Sequence, residues 1–245
     1  MKRDRITRII IIAAGIWLGV STSLLLVVAL TGAAPNTRAV FLMGSGVILI
    51  WVLICGMLMR IFRDPIAGAV RRIRLDWRVK FVLFATLLAM TEELVTTGMT
   101  NAAPLFGVPV GAAYITASAN YFDVIALHSV VVFIPMFITW AVLLRYIDFH
   151  PNEVFLLFGF TGILAEASFG GGQAFAEFAL WIFVYGLMVY LPAYSLLAER
   201  GAKLPRWWHF ALAVLLPILF SIPVAVVVGS LHPYPIHFPP ILPNS

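Results

Sequence analysis

The chain has 245 residues, 62% of them hydrophobic and only 11% charged, with a mean hydropathy of +1.01. A water-soluble domain carries about 25% charged residues to wet its surface, so a soluble globule is excluded and lipid is the expected solvent. One cysteine excludes an intramolecular disulfide, and the net charge of +5 suits nucleic acid only if the bases form a patch outside the membrane.

Seven apolar segments approach the ~20 residues that a bilayer crossing requires: 9–31, 39–60, 79–99, 121–146, 153–169, 174–197 and 207–230. The first follows Met-Lys-Arg-Asp-Arg and is too long for the core of a signal peptide, so it is read as an anchor. Seven crossings with the N-terminus inside put every Lys and Arg except Arg38 on the cytoplasmic side, the pattern of the positive-inside rule. The net charge then needs no nucleic-acid partner. The predicted fold class is all-α. The chain is expected to be one polytopic membrane domain over 1–245, with about seven transmembrane helices and a cytoplasmic N-terminus. The lipid bilayer is its first partner, and a prokaryotic cytoplasmic membrane is the expected location.

Between the second and third segments, residues 62–78 place Ile66, Val70, Ile73 and Trp77 at helical spacing among arginines. The spacing predicts an amphipathic helix on the inner leaflet, or a plain basic loop with a topological role. The proline-rich tail 231–245 is expected to be extended and extracytoplasmic, with His232 and His237 in it.

The acids divide into two groups. Asp4, Asp64, Asp76, Asp148, Glu153 and Glu199 lie among the bases and are expected to be solvated or loosely paired. Glu92, Glu93, Asp123, Glu166 and Glu177 fall within or at the ends of the third to sixth segments, where Arg145 is the only base between Lys80 and Arg200. A rise of ~1.5 Å per residue puts Glu92, Glu93, His128 and Glu166 at one depth, in the outer half of a core about 30 Å thick. Ionisable groups at that depth are costly, which marks a functional site. Hydrogen bonding between helices is the structural alternative.

Two polar stretches frame this level. Residues 98–120 carry no charge and many small residues, and are read as an outer loop or re-entrant segment over the acids. Ser168–Gln173 carries a glycine run that permits a tight turn. Asn120, Val124 and His128 would share one face of a continuous fourth helix. Residues 85–172 thus form the candidate functional core. Glu92, Glu93, His128 and Glu166 are its candidate catalytic residues, and Thr97, Asn101, Asn120, Asp123, Gln173 and Glu177 are expected to line the cavity.

The run Thr91-Glu92-Glu93-Leu94-Val95-Thr96-Thr97-Gly98 resembles the first motif of the CAAX protease and bacteriocin-processing (CPBP) family of intramembrane glutamate proteases. That motif is a Glu-Glu pair, three residues, arginine and commonly glycine; Thr97 stands at the arginine position. The second motif, Phe-x-x-x-His, is matched by His128 with Val124 in place of phenylalanine. At the distance of the third, His-x-x-x-Asn, stand Glu166 and Gly170. The resemblance implies an intramembrane hydrolase in which Glu92 and Glu93 supply the base and His128 part of the oxyanion-stabilising set.

Three functions follow. The first is an intramembrane hydrolase acting on a membrane peptide or lipid substrate, with a buried glutamate as general base and His128 as its partner. The second is a cation- or proton-handling protein, since Glu92, Glu93, His128 and Glu166 would together suit a divalent metal ion such as Zn²⁺, Mn²⁺ or Fe²⁺. The third is a non-enzymatic membrane subunit in which the acids join helices. The last segment lacks a lysine for a retinal Schiff base, which argues against a rhodopsin.

Overall fold

Helices occupy all seven apolar segments in a computed structural model, which describes residues 2–196 and 201–231. Helix α1 is Lys2–Thr31. Helix α2, Pro35–Val47, passes through a π-helical stretch, Ile48–Cys55, into α3, Gly56–Ile61. Helix α4 is Arg63–Arg72 and α5 is Trp77–Asn101, followed by a 3₁₀ turn at Ala103–Phe106. Helices α6, Tyr121–Leu127, and α7, Ser129–Tyr146, share the fourth segment. Helix α8 is Pro151–Gly170, α9 Gln173–Ala176, α10 Phe178–Tyr194 and α11 Trp207–Leu231. No strand occurs among the described residues; one isolated bridge joins Ile147 to Lys203. The tail with His232 and His237, and the Glu199–Arg200 pair, lie outside the described residues.

Among the described residues, four segments are long and apolar enough to cross a membrane: Arg3–Thr31, Pro35–Ile61, Ser129–Tyr146 and Trp207–Leu231. Phe178–Tyr194 is apolar but shorter. The exterior agrees with a lipid solvent. Helices α1 and α11 turn large apolar side chains outward, among them Ile16, Leu24, Leu30, Leu219 and Val226. Water would not tolerate so extensive an apolar surface on a monomer.

Two sequence expectations change. The fourth segment is not one helix: His128, at φ −145° and ψ −96°, ends α6 and precedes α7. Asn120, Val124 and His128 still follow one another through helical backbone bonds, Val124 N–H to the Asn120 carbonyl and His128 N–H to the Val124 carbonyl, but that face ends at His128 instead of continuing into α7. The amphipathic helix covers 63–72 rather than 62–78. Ile73 is extended and exposed, and Trp77 opens α5 behind the Asp76 cap, whose carboxylate accepts from the Arg78 N–H at 2.9 Å.

The centre of the bundle is the contact of α8 with α10. Their backbones approach closely because a glycine stands at the contact at three levels, against backbone at one and an aromatic ring at two. A Cβ on Gly159 would stand 2.7 Å from Ile182 Cα, and one on Gly186 would stand 2.7 Å from the Phe155 ring. A Cβ on Gly162 would stand 2.3 Å from the Tyr185 ring. Small residues let helices pack at backbone distance where lipid offers no hydrophobic drive for association. Around this pair Trp140, Phe137 and Phe158 fill the core, and the Trp51 indole N–H donates to the Val184 carbonyl at 3.1 Å.

One end of the bundle gathers the bases. Arg3 reaches the start of α8, Arg71 donates to the carbonyls of Tyr194 and Ser195, and Lys203 pairs by backbone with Tyr146. Arg38 stands at the other end, near Gly107. Glu153 departs from its expected place in solvent. It is 2% exposed, and both its oxygens accept from the Arg3 guanidinium, one of them at 2.8 Å. It also accepts from the His150 N–H at 2.9 Å, closing the first turn of α8 beside Pro151. Asp4 adds a second tie between the same helices through Asn152, at 2.8 Å.

Candidate functional site

Helix α5 carries both glutamates inward: Glu92 is 4% and Glu93 5% exposed. Adjacent residues differ by about 100° around a helix, so the two carboxylates reach different neighbours. Glu93 is held. Its Oε2 accepts from the Thr96 hydroxyl at 3.1 Å and from the Thr116 hydroxyl at 3.2 Å, and Ser129 lies within hydrogen-bonding reach. Glu92 differs: its carboxylate has no hydrogen-bond partner among the described residues and interacts electrostatically with Glu93 and Glu166. Glu166, on α8, accepts from the Tyr185 hydroxyl at 2.6 Å and lies within electrostatic reach of Glu93.

The helix break brings in the histidine. His128 Nδ1 and Ser129 Oγ are 2.8 Å apart, so Ser129 stands between the imidazole and Glu93. His128 closes α6 with its N–H on the Val124 carbonyl, and the break after it starts α7 at Ser129, within reach of Glu93 on α5. The loop after α5 completes the enclosure. Thr116 reaches down to Glu93, while Ala103, Val108, Ala112 and Ala113 bury themselves against Ala39 and Met43 of α2. Thr116 thus ties this stretch to Glu93, and its apolar residues anchor it on α2.

Glu92, Glu93 and Glu166 therefore occupy one region, and His128 joins it through Ser129. The expected cavity lining is only partly there. Thr97 is buried, with its hydroxyl unpartnered among the described residues, as is that of Thr100 one turn on. Asn101 instead braces the loop, its amide donating to the carbonyls of Thr97 at 2.9 Å and Ala119 at 2.7 Å. Asn120 is spent as a helix cap, accepting from the Phe122 N–H at 3.0 Å. Gln173 donates to Glu177 at 2.8 Å at the exposed start of α9, and Asp123 lies in the first turn of α6. Asn101, Asn120 and Gln173 thus spend their polar groups on a turn and on helix ends, whereas Glu177 stays within electrostatic reach of Glu166.

The metal expectation also changes. Among the described residues, no three His, Cys, Asp or Glu side chains are placed to hold an ion. Glu93 is oriented by the Thr96 and Thr116 hydroxyls and Glu166 by that of Tyr185. Three contributors went unrecognised as site residues in the sequence. Tyr185 and Ser129 sit in apolar runs with nothing to distinguish them from packing residues, and Thr116 lies in an irregular loop whose path only the fold reveals. No protein-family model, curated protein or solved structure matches this chain.

Proposed function

We propose that this protein is an intramembrane hydrolase of the glutamate type, similar in its site to the CPBP proteases. The reading rests on one observation: Glu92 is a buried carboxylate with no hydrogen-bond partner of its own among the described residues, beside a second glutamate that is firmly held. A general base needs a free lone pair aimed at water, whereas a structural acid is tied to its neighbours. Glu92 is then the base that takes a proton from water. Glu93, fixed by Thr96 and Thr116, and Glu166, which accepts from the Tyr185 hydroxyl, flank it within electrostatic reach. His128 and Ser129 complete the polar wall. The substrate class is a membrane peptide or lipid ester that reaches this depth from the bilayer.

The test is turnover of membrane-peptide and lipid-ester substrates by the protein reconstituted in liposomes. Glu92→Gln keeps the shape and removes the base, so hydrolysis is expected to fall by about 10²–10⁴-fold while the protein remains monodisperse. Full turnover in that variant overturns the reading.

One observation favours a second reading, proton handling. Ser129 lies between His128 and Glu93, a short chain of exchangeable protons. Proteoliposomes loaded with a pH-sensitive dye separate the two. Proton flux abolished by Ser129→Ala, with no hydrolysis by the unaltered protein, supports transport over catalysis.

A further inference from the structure

Ser129 differs from the serines inside the other helices. Ser45, Ser195 and Ser221 donate to a carbonyl three or four residues back on their own helix, the ordinary use of such a hydroxyl. Ser129 is the first residue of α7 and has no turn of that helix behind it. Its Oγ stands 2.8 Å from His128 Nδ1 and within hydrogen-bonding reach of the Glu93 carboxylate. With Nδ1 unprotonated, the imidazole accepts from the Ser129 O–H. A proton acceptor at that distance is what makes an alcohol a nucleophile. Ser129 is half-buried, so its oxygen is not sealed in the core.

The helix end meets a second requirement of acyl chemistry. Helix α7 runs for 18 residues, and no side chain caps its first turn. The first N–H groups of a helix have no carbonyl partner within it and carry the positive end of its dipole. Those of Ser129 and Val130 are the nearest to Oγ along the chain, and an acyl oxygen turns negative when Oγ attacks. The turn at His128, with φ −145° and ψ −96°, puts the serine directly at the helix start, as in a nucleophile elbow.

We propose that Ser129 is a covalent nucleophile, with His128 as its base, acting on esters or amides of carboxylic acids. The inference rests on the reading of this site as hydrolytic and adds an acyl-enzyme to it. In the first step Oγ bonds to the acyl carbon and its proton passes to His128 Nδ1. The bond to the alcohol or amine breaks, and that group leaves with the proton from His128. In the second step water gives a proton to Glu92 and bonds to the acyl carbon. The bond to Oγ breaks, the carboxylic acid leaves, and Oγ takes the proton back from Glu92.

Treatment of the full chain in detergent micelles with an alkyl fluorophosphonate, followed by peptide mass mapping, tests the nucleophile. An adduct on Ser129 is expected in the unaltered protein and none at that position in Ser129→Ala. Labelling is expected to slow by about 10²-fold or more in His128→Gln. Mapping on the unaltered chain does not depend on any variant folding. Turnover of 4-nitrophenyl decanoate tests the second step. Glu92→Gln is expected to release about one equivalent of nitrophenolate and to keep a decanoyl group on Ser129. An unaltered protein that carries no adduct on Ser129 overturns the proposal. So does ester turnover that Ser129→Ala retains, a result that leaves Glu92 as the base of a direct attack by water. Absence of both label and ester turnover in the unaltered protein overturns the covalent step and the hydrolytic reading together.

Discussion

Two buried glutamates show how differently one side chain can be used. Glu153 has an arginine and a backbone N–H on its oxygens, whereas Glu92 has neither. Removing one partner of a buried pair strands the other, so Arg3→Ala should destabilise. Arg3 is 42% exposed and partly screened by solvent, which limits the loss to about 1–3 kcal/mol. The double variant Arg3→Met with Glu153→Met should recover most of this, because no buried charge is left alone. It should still fall short by about 1 kcal/mol, since Glu153 also closes the first turn of α8. Thermal unfolding in detergent checks both values; a double variant no better than Arg3→Ala would show that the pair is not what joins α1 to α8.

The contact of α8 with α10 carries chemistry as well as packing. Tyr185 lies over Gly162, one turn from Glu166, and that stacking delivers its hydroxyl to the carboxylate. A methyl group on Gly162 would stand 2.3 Å from the ring, so the ring must move and take the hydroxyl with it. Gly162→Ala is therefore expected to cost about 1–3 kcal/mol in stability and to lower turnover as Tyr185→Phe does. Gly44→Ala in α2 is the control, since its Cβ would meet nothing within 4 Å. Unfolding midpoints and turnover of the three variants decide the matter: a Gly162→Ala protein matching Gly44→Ala would remove the packing argument. The break at His128 is the second element-scale device, placing Ser129 against α5 where an unbroken helix would have carried it past.

At the scale of the whole molecule, the bases meet at one end because the ends of α1, α4, α7, α8, α10 and α11 meet there. If that end is cytoplasmic, the positive-inside rule sets the orientation. Cys55 is the only cysteine, so a Cys55→Ser background allows single cysteines to be placed at will. A cysteine at exposed Leu105 is expected to react with a membrane-impermeant maleimide from outside intact cells. One at Arg72 should react only in inverted vesicles. The reverse pattern would turn the protein over and put the acids nearer the cytoplasm.

Composition and periodicity settled the all-α class and put helix in each apolar segment, and they point to lipid as the solvent, because a bilayer demands long runs of apolar residues and water does not tolerate them. The sorting of Lys and Arg was legible for the same reason: it lies along the chain and needs no contact between distant residues. The inward turn of Glu92 and Glu93 was legible too, since a carboxylate deep in an apolar run must find shelter. What each acid meets was not. Glu153 looked solvated until α1 brought Arg3 to it across 150 residues. Tyr185, Ser129 and Thr116 read as packing or loop residues until the fold set them beside Glu166 and Glu93. His128 read as part of a helix whose break only the tertiary structure shows. Burial follows from a residue's own chemistry, but a hydrogen bond needs two groups within about 3 Å, and only packing brings them there.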